Sequence, residues 1–183
     1  MGLPIITSWK KGSRQKSIDI HLVEKRVANI NLIKKNNIKI NFYKKIPKKW
    51  KGDVIFFAVK PQDFNKVAKE INKNEVLYKN IVSIMAGITT CKIRSYIRKS
   101  AGITRVMPNL AVAVNLSVNC IYNSSNTKKL FKENINNLFY LCGNNYEIKD
   151  ESLLEDVTAI SGSGPAYFFL FLYVFENIAL DLG

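Results

Sequence analysis

An α/β fold is what this sequence predicts: a doubly wound parallel sheet followed by the start of an all-α segment. Three observations carry the prediction. The continuous apolar run over 54–59 reads as a strand buried on both faces, with 80–83 as another buried strand and 104–107 as a further strand. Stretches of helical period lie between them on short connections, the rhythm of βαβ units. A long apolar segment over 165–182 follows a small-residue turn and reads as helix. The division is placed at 1–148 for the sheet domain and 149–183 for the beginning of a helical one.

Residues 3–9 are apolar and read as helix, followed by a polar, basic loop over 10–16 that holds Gly12. Residues 17–23 alternate and are rich in β-branched side chains, a strand. Over 24–35 apolar residues recur at Val27, Ile30 and Leu32 or Ile33, a helical period. The alternation of Ile38, Ile40 and Phe42 gives a second short strand over 38–42. A basic loop with Pro47 and Gly52 leads into the strand 54–59, which Lys60-Pro61 ends. Residues 62–72 then read as helix, 80–83 as strand, 90–99 as helix and 104–107 as strand. Further on, Ser161-Gly162-Ser163-Gly164 runs into Pro165, a residue favoured at the first helical position. That turn reads as a helix N-terminus presenting free N–H groups and partial positive charge to a carboxylate or phosphate. Close packing of the helix on a neighbour is the other reading.

Composition narrows the classes. A 47% hydrophobic share in 183 residues is enough for a core. The formal charge of +14 would attract nucleic acid or an anionic surface, but Lys, Asn and Ile are abundant in helices and loops alike, so it reads as a whole-sequence bias. Cys91, Cys120 and Cys142 lie far apart without metal-ligand spacing, and an odd number argues against a disulfide framework; a reducing, cytoplasmic compartment is expected. The opening residues carry neither a signal-peptide pattern nor a myristoylation pattern. The apolar run 166–175 is about half the ~20 residues a bilayer helix needs, so a buried helix rather than a membrane span is expected.

Parallel sheets bind ligands at the carboxyl ends of their strands. There stand Glu24-Lys25-Arg26, Ala58-Val59-Lys60-Pro61, Ala86-Gly87 and Pro108-Asn109, each group small, polar or turn-forming. In a dinucleotide-binding fold an acid after the second strand holds ribose hydroxyls, whereas basic residues there accept a 2′-phosphate. Glu24 beside Lys25 and Arg26 leaves both open. A glycine-rich phosphate turn of the G-x-G-x-x-G kind is absent, and residues 3–9 suit the helix that would follow one.

Four blocks, residues 53–62, 81–89, 104–109 and 156–167, the last containing Ser-Gly-Ser-Gly-Pro-Ala-Tyr, together resemble pyrroline-5-carboxylate reductase in order and spacing. The resemblance implies a truncated Rossmann-like domain and hydride transfer from NADPH or NADH to 1-pyrroline-5-carboxylate, giving L-proline. It implies that Ala58, Val59, Lys60 and Pro61 line the cofactor, that Ala86 and Gly87 pass near it, and that Met107, Pro108 and Asn109 close toward the nicotinamide. Ser161, Gly162, Ser163 and Gly164 would open the helical domain on the substrate side. Glu151 corresponds to a family acid near the bound imino acid, with a helix N-terminal charge as its other reading. The family forms homo-oligomers through helices that continue beyond this stretch, and its first strand and phosphate turn precede it. On that basis an open strand edge beside 17–23, an uncovered apolar helix, poor stability and negligible turnover are expected of this chain.

Two rivals remain. A non-catalytic module could grip nucleic acid through Lys44, Lys45, Lys48, Lys49 and Lys51 with Tyr43 and Trp50 interleaved, although a solvated loop in a lysine-rich chain explains the same residues. Other imine or β-hydroxyacid reductases share the architecture, and the Ser-Gly-Ser-Gly-Pro-Ala-Tyr block argues against them.

Overall fold

A computed structural model describes residues 1–12, 18–35, 40–97 and 101–183. Helix α1 (Gly2–Gly12) leads to strand β1 (His21–Val23), helix α2 (Val27–Lys35) and strand β2 (Asn41–Tyr43). Strand β3 (Val54–Phe57), a 3-10 turn (Pro61–Asp63), α3 (Phe64–Lys73), β4 (Asn80–Ser83), α4 (Thr90–Tyr96) and β5 (Gly102–Met107) follow in βαβαβ order. A second 3-10 turn (Leu110–Val114), β6 (Ser117–Asn123), α5 (Lys129–Tyr140) and β7 (Gly143–Ile148) complete the sheet. The chain ends in α6 (Leu153–Val157), a π-helical turn (Thr158–Gly162) and α7 (Gly164–Leu182).

The strands form two sheets. β1 pairs with β2 in parallel, and a five-stranded sheet runs in the order β3-β4-β5-β6-β7. β3, β4 and β5 are mutually parallel, β6 is antiparallel to β5, and β7 is parallel to β6. The expected doubly wound parallel sheet is thus modified at two strands, β6 and β7, which both run opposite to β3, β4 and β5. The link between β5 and β6 is only a short 3-10 turn, and a parallel crossover needs a dozen residues or more. β6, α5 and β7 are elements that the sequence reading did not anticipate. Several anticipated strands are also shorter than expected: β1 begins at His21, β2 at Asn41, and β3 ends at Phe57. The parts of those expectations over 13–17, 36–39 and 98–100 fall outside the described residues.

Apolar side chains cover both faces of the larger sheet. Phe57, Ile81 and Ile103 face Phe64, Ala68 and Ile71 of α3 and Ile93 of α4. On the other face Val82, Val106 and Ile121 meet Ile5 and Trp9 of α1 and Phe131, Ile135 and Phe139 of α5. Trp9 sets its ring edge-on to Phe56 and Phe139, with centroids 5.2 and 5.8 Å away. The neighbouring Ile6, with Leu3, packs instead on Ile33, Leu22 and Phe42 of the two-stranded sheet. One helix therefore bridges both sheets. Among the described residues, the edge of β1 away from β2 and the edge of β3 away from β4 have no strand neighbour. The expected open edge beside β1 is present, while β2 pairs its other side.

The last helix is uncovered. Phe168, Phe169, Leu170, Phe171, Tyr173 and Phe175 are each more than half exposed, and no residue of α7 is buried. With α6 and the π turn it makes a 30-residue helical stretch, Leu153–Leu182, long and apolar enough by length and composition to cross a bilayer. The expectation of a buried helix, drawn from 166–175 alone, is not met: the helix is longer, and it is exposed at every residue from Ala166 on.

Candidate functional site

Because β3, β4 and β5 are parallel, residues 58–61, 84–87 and 108–109 emerge at one edge. At the end of β3, Ala58 lies against the first turn of α1. A Cβ on Gly2 would come within 2.9 Å of the Ala58 Cβ, so glycine lets the helix start this close. The amino end of α1, with its positive partial charge, is thereby set beside the strand end. Val59 is half-buried, Lys60 and Pro61 are exposed, and the Lys60 carbonyl accepts from the Asp63 N–H at 2.9 Å to close the 3-10 turn.

After β4, the buried Ser83 hydroxyl accepts from the Met85 N–H at 3.3 Å. Ala86 packs on the cluster of Met107, Cys120 and Leu154. Gly87 has φ +68° with open space where a Cβ would stand, so its backbone angle, rather than crowding, requires glycine. After β5, Met107 and Pro108 are buried. Asn109 organises the turn beyond. Its N–H donates to the Ser117 hydroxyl at 3.1 Å, its Oδ1 accepts from the Ala111 N–H at 3.3 Å, and its Nδ2 donates to the Ser161 hydroxyl at 3.3 Å. The Met-Pro-Asn and Ser-Gly-Ser-Gly blocks, far apart in sequence, thus meet.

Ser161-Gly162-Ser163-Gly164 is not the free helix N-terminus that was expected. The helical path continues through it: the Ser163 N–H donates to the Thr158 carbonyl at 2.9 Å, and the Ala166 N–H to the Ser163 carbonyl at 3.0 Å. Pro165 has no N–H to give to the preceding turn, and the π-helical turn takes up the change of register. Residues 161–164 are half-buried and bend the path at Asn109 rather than beginning it.

The two candidate acids are both occupied. Glu24, half-buried at the end of β1, accepts from the Lys25 and Arg26 N–H groups at 2.8 and 2.9 Å and from Asn29 Nδ2 at 2.7 Å. Burial works against its charge, but these donors together with the Arg26 guanidinium hold the carboxyl below its ordinary value. Lys25 and Arg26 themselves are exposed. Glu151 accepts from the Thr90 N–H at 2.6 Å, the Thr90 hydroxyl at 2.7 Å and Arg105 Nη1 at 2.9 Å. Here too burial opposes the charge, and Thr90 and Arg105 pull the carboxyl below its usual range. Arg105 is 1% exposed, with its Nη2 3.6 Å from Glu155 and without a hydrogen bond.

Thr90, Arg105, Ser117 and Gly2 were not picked out as site-forming residues from the sequence. Arg105 carries a readable signal, a charge inside an apolar strand that must find a partner when buried. The basic loop lies elsewhere: Lys48, Lys49 and Lys73 line an open hollow of about 230 Å³ with Asn74 and Glu75 at the opposite, amino edge of the sheet. No metal-ligating cluster occurs among the described residues.

A family model described as an NADP oxidoreductase, coenzyme F420-dependent, matches residues 15–87. The chain is 38% identical over 122 residues to a pyrroline-5-carboxylate reductase of Aquifex aeolicus, covering 66% of this chain and 44% of that one. It is 32% identical over 132 residues to the same enzyme of Haemophilus influenzae, covering 72% and 49%. The crystal structure of Plasmodium falciparum pyrroline carboxylate reductase with NADP bound superposes with a TM-score of 0.78 at 24% identity, covering 100% of this chain and 66% of that one. At that identity the likeness speaks for the fold. The likeness in sequence to the curated relatives goes further: the chain is similar to pyrroline-5-carboxylate reductases over a stretch that includes the Met-Pro-Asn block, and it spans about half the length of the curated relatives it matches.

Proposed function

We propose that this chain carries the nucleotide-binding part of a reductase that converts 1-pyrroline-5-carboxylate to L-proline with NADPH or NADH, the last step of proline biosynthesis. The observation that carries the reading is the Asn109–Ser161 contact, which ties the carboxyl edge of the sheet to the helical segment where an imino acid would meet the cofactor. The residues fit a dinucleotide. The first turn of α1 beside Ala58 offers backbone donors and positive partial charge to a pyrophosphate. Ala58, Val59, Lys60 and Pro61 and the open turn at Ala86-Gly87 leave room along the strand ends, and Met107, Pro108 and Asn109 bound the nicotinamide side. When bound, the reduced nicotinamide supplies the hydride that adds to the C=N carbon of the substrate. The chain's own residues hold the two reactants in register and keep water away; Ser161, Gly162, Ser163 and Gly164 form the substrate side.

Cofactor choice follows from Glu24. Its oxygens are taken up by the Lys25 and Arg26 N–H groups and by Asn29, so the exposed side chains of Lys25 and Arg26 beside it are the free recognition groups, which favours the 2′-phosphate of NADPH. The uncovered α7 suits association with a second copy. The three cysteines are unpaired, in keeping with a reducing cytoplasm.

The test is oxidation of NADPH and NADH with 1-pyrroline-5-carboxylate, comparing residues 1–183 with a chimera joined to the flanking segments of a curated relative. The expected result is turnover by the chimera, faster with NADPH, and negligible turnover by residues 1–183. A folded chimera that binds neither cofactor overturns the reading.

A further inference from the structure

Glu151 touches three segments that lead into the candidate site. Its carboxylate receives the amide and hydroxyl of Thr90, which opens α4 just after Gly87. It receives Arg105, which stands on β5 just before Met107. Its backbone carbonyl accepts from the Leu154 N–H at 3.1 Å, at the head of the helical path that runs to Ser161. We propose that Glu151, held by Arg105, is a positioning residue: it locks the turn after β4, the end of β5 and the root of the path to Ser161 in one register, and does not itself bind substrate. The inference rests on the reductase reading for the identity of the site.

The physical argument is one of commitment. Three donors fill most of the carboxylate's accepting positions, and the side chain is 21% exposed against 2% for Arg105. Arg105 Nη2 already lacks a hydrogen bond. Swinging Glu151 toward a ligand would strand a buried guanidinium with only the half-exposed Glu155 near it, and one new hydrogen bond to that ligand would not offset the cost. The charged groups around the carboxylate are Arg105 from β5 and Glu155 from α6. The neighbouring Asp150 is engaged with the Ser152 N–H at 2.9 Å.

Amide hydrogen exchange on residues 1–183 tests the lock without reference to activity. Glu151→Gln is expected to speed exchange at Thr90 and across 153–163 by about tenfold, while leaving α3 and α5 unchanged. Protection at Thr90 in the parent chain is expected to fall on acidification through the carboxylate range, and the Gln variant to lose this pH dependence. Arg105→Lys, which keeps the charge, should retain part of the protection that Arg105→Met loses, and Glu155→Gln should change it less than twofold. Unchanged exchange in Glu151→Gln, or an equal effect from Glu155→Gln, overturns the proposal. In the chimera, Glu151→Gln should lower kcat with little change in KM for the imino acid; a selective rise in KM with unaltered exchange also overturns it. A chimera inactive in every form, with the exchange effects intact, would sink the reductase reading and leave the lock standing.

Discussion

At the scale of single residues, environment decides what each charge and thiol can do. The Cys142 thiol, fully buried beneath α1, is pushed up to about 11 by burial, and burial also raises Cys120. Only Cys91 is exposed. A thiol-disulfide reagent at neutral pH is therefore expected to modify Cys91 rapidly and the other two only on unfolding, and mass spectrometry of the modified peptides would check it. The Arg105–Glu151 pair makes a sharper prediction. Arg105→Met should lower stability by about 3 kcal/mol, read from the urea midpoint, because it leaves a half-buried carboxylate without its cation. Glu151 has a depressed pKa when folded, against an ordinary 4.5. Its contribution is thus present above the unfolded value and disappears as pH falls through the folded one. The stability gap between the parent chain and Glu151→Gln should be largest above the ordinary carboxylate value and shrink as pH falls through the depressed one. The sequence marked Glu151 as an acid of interest, yet not its partners. A carboxylate's role depends on what is brought to it across the fold, and Thr90 and Arg105 are remote in sequence.

At the scale of elements, local signals were strongest where one strand or helix satisfies itself. β4 has the bounds expected of it, Asn80 to Ser83. α3 carries Phe64, Ala68 and Ile71 on one buried stripe, as its period suggested. Phe64→Ala should cost about 3–5 kcal/mol in thermal or denaturant unfolding, since the ring is fully buried between Phe57 and Tyr96. Thr89 caps α4 through its hydroxyl, which accepts from the Lys92 N–H at 3.1 Å. Thr89→Ala should cost about 1 kcal/mol, measurable as a shift in the same midpoint. β6 and β7 were less legible. In β6 the inward side chains include Ser117 and Asn119, polar groups whose burial is allowed only by partners on other elements. Asn119 Nδ2, for one, donates to the Phe139 carbonyl at 3.1 Å and to Asn145 Oδ1 at 3.0 Å. The π turn was equally hidden. Ser-Gly-Ser-Gly before Pro165 has the chemistry of a helix start, and the helix upstream that makes it a bend is short and weakly patterned.

At the scale of the whole molecule, α7 dominates behaviour in solution. A helix apolar on nearly every face and exposed along its length should drive residues 1–183 to associate. Sedimentation velocity is expected to show concentration-dependent oligomers, and replacing Phe168, Phe171 and Phe175 together with Glu should shift the population toward monomer; a monomer at all concentrations in the parent chain would contradict this. By itself the sequence determined the α/β class, the order of elements through β5 and the four blocks that carry the resemblance, because these depend on periods and turn residues within one stretch of chain. The tertiary structure alone decided the split into two sheets bridged by α1, the antiparallel β6, the meeting of Asn109 with Ser161 and the closure of Glu151 on Thr90 and Arg105. Each of these joins segments far apart in sequence, and strand partners and buried charges are chosen by what packing brings within reach rather than by what is adjacent.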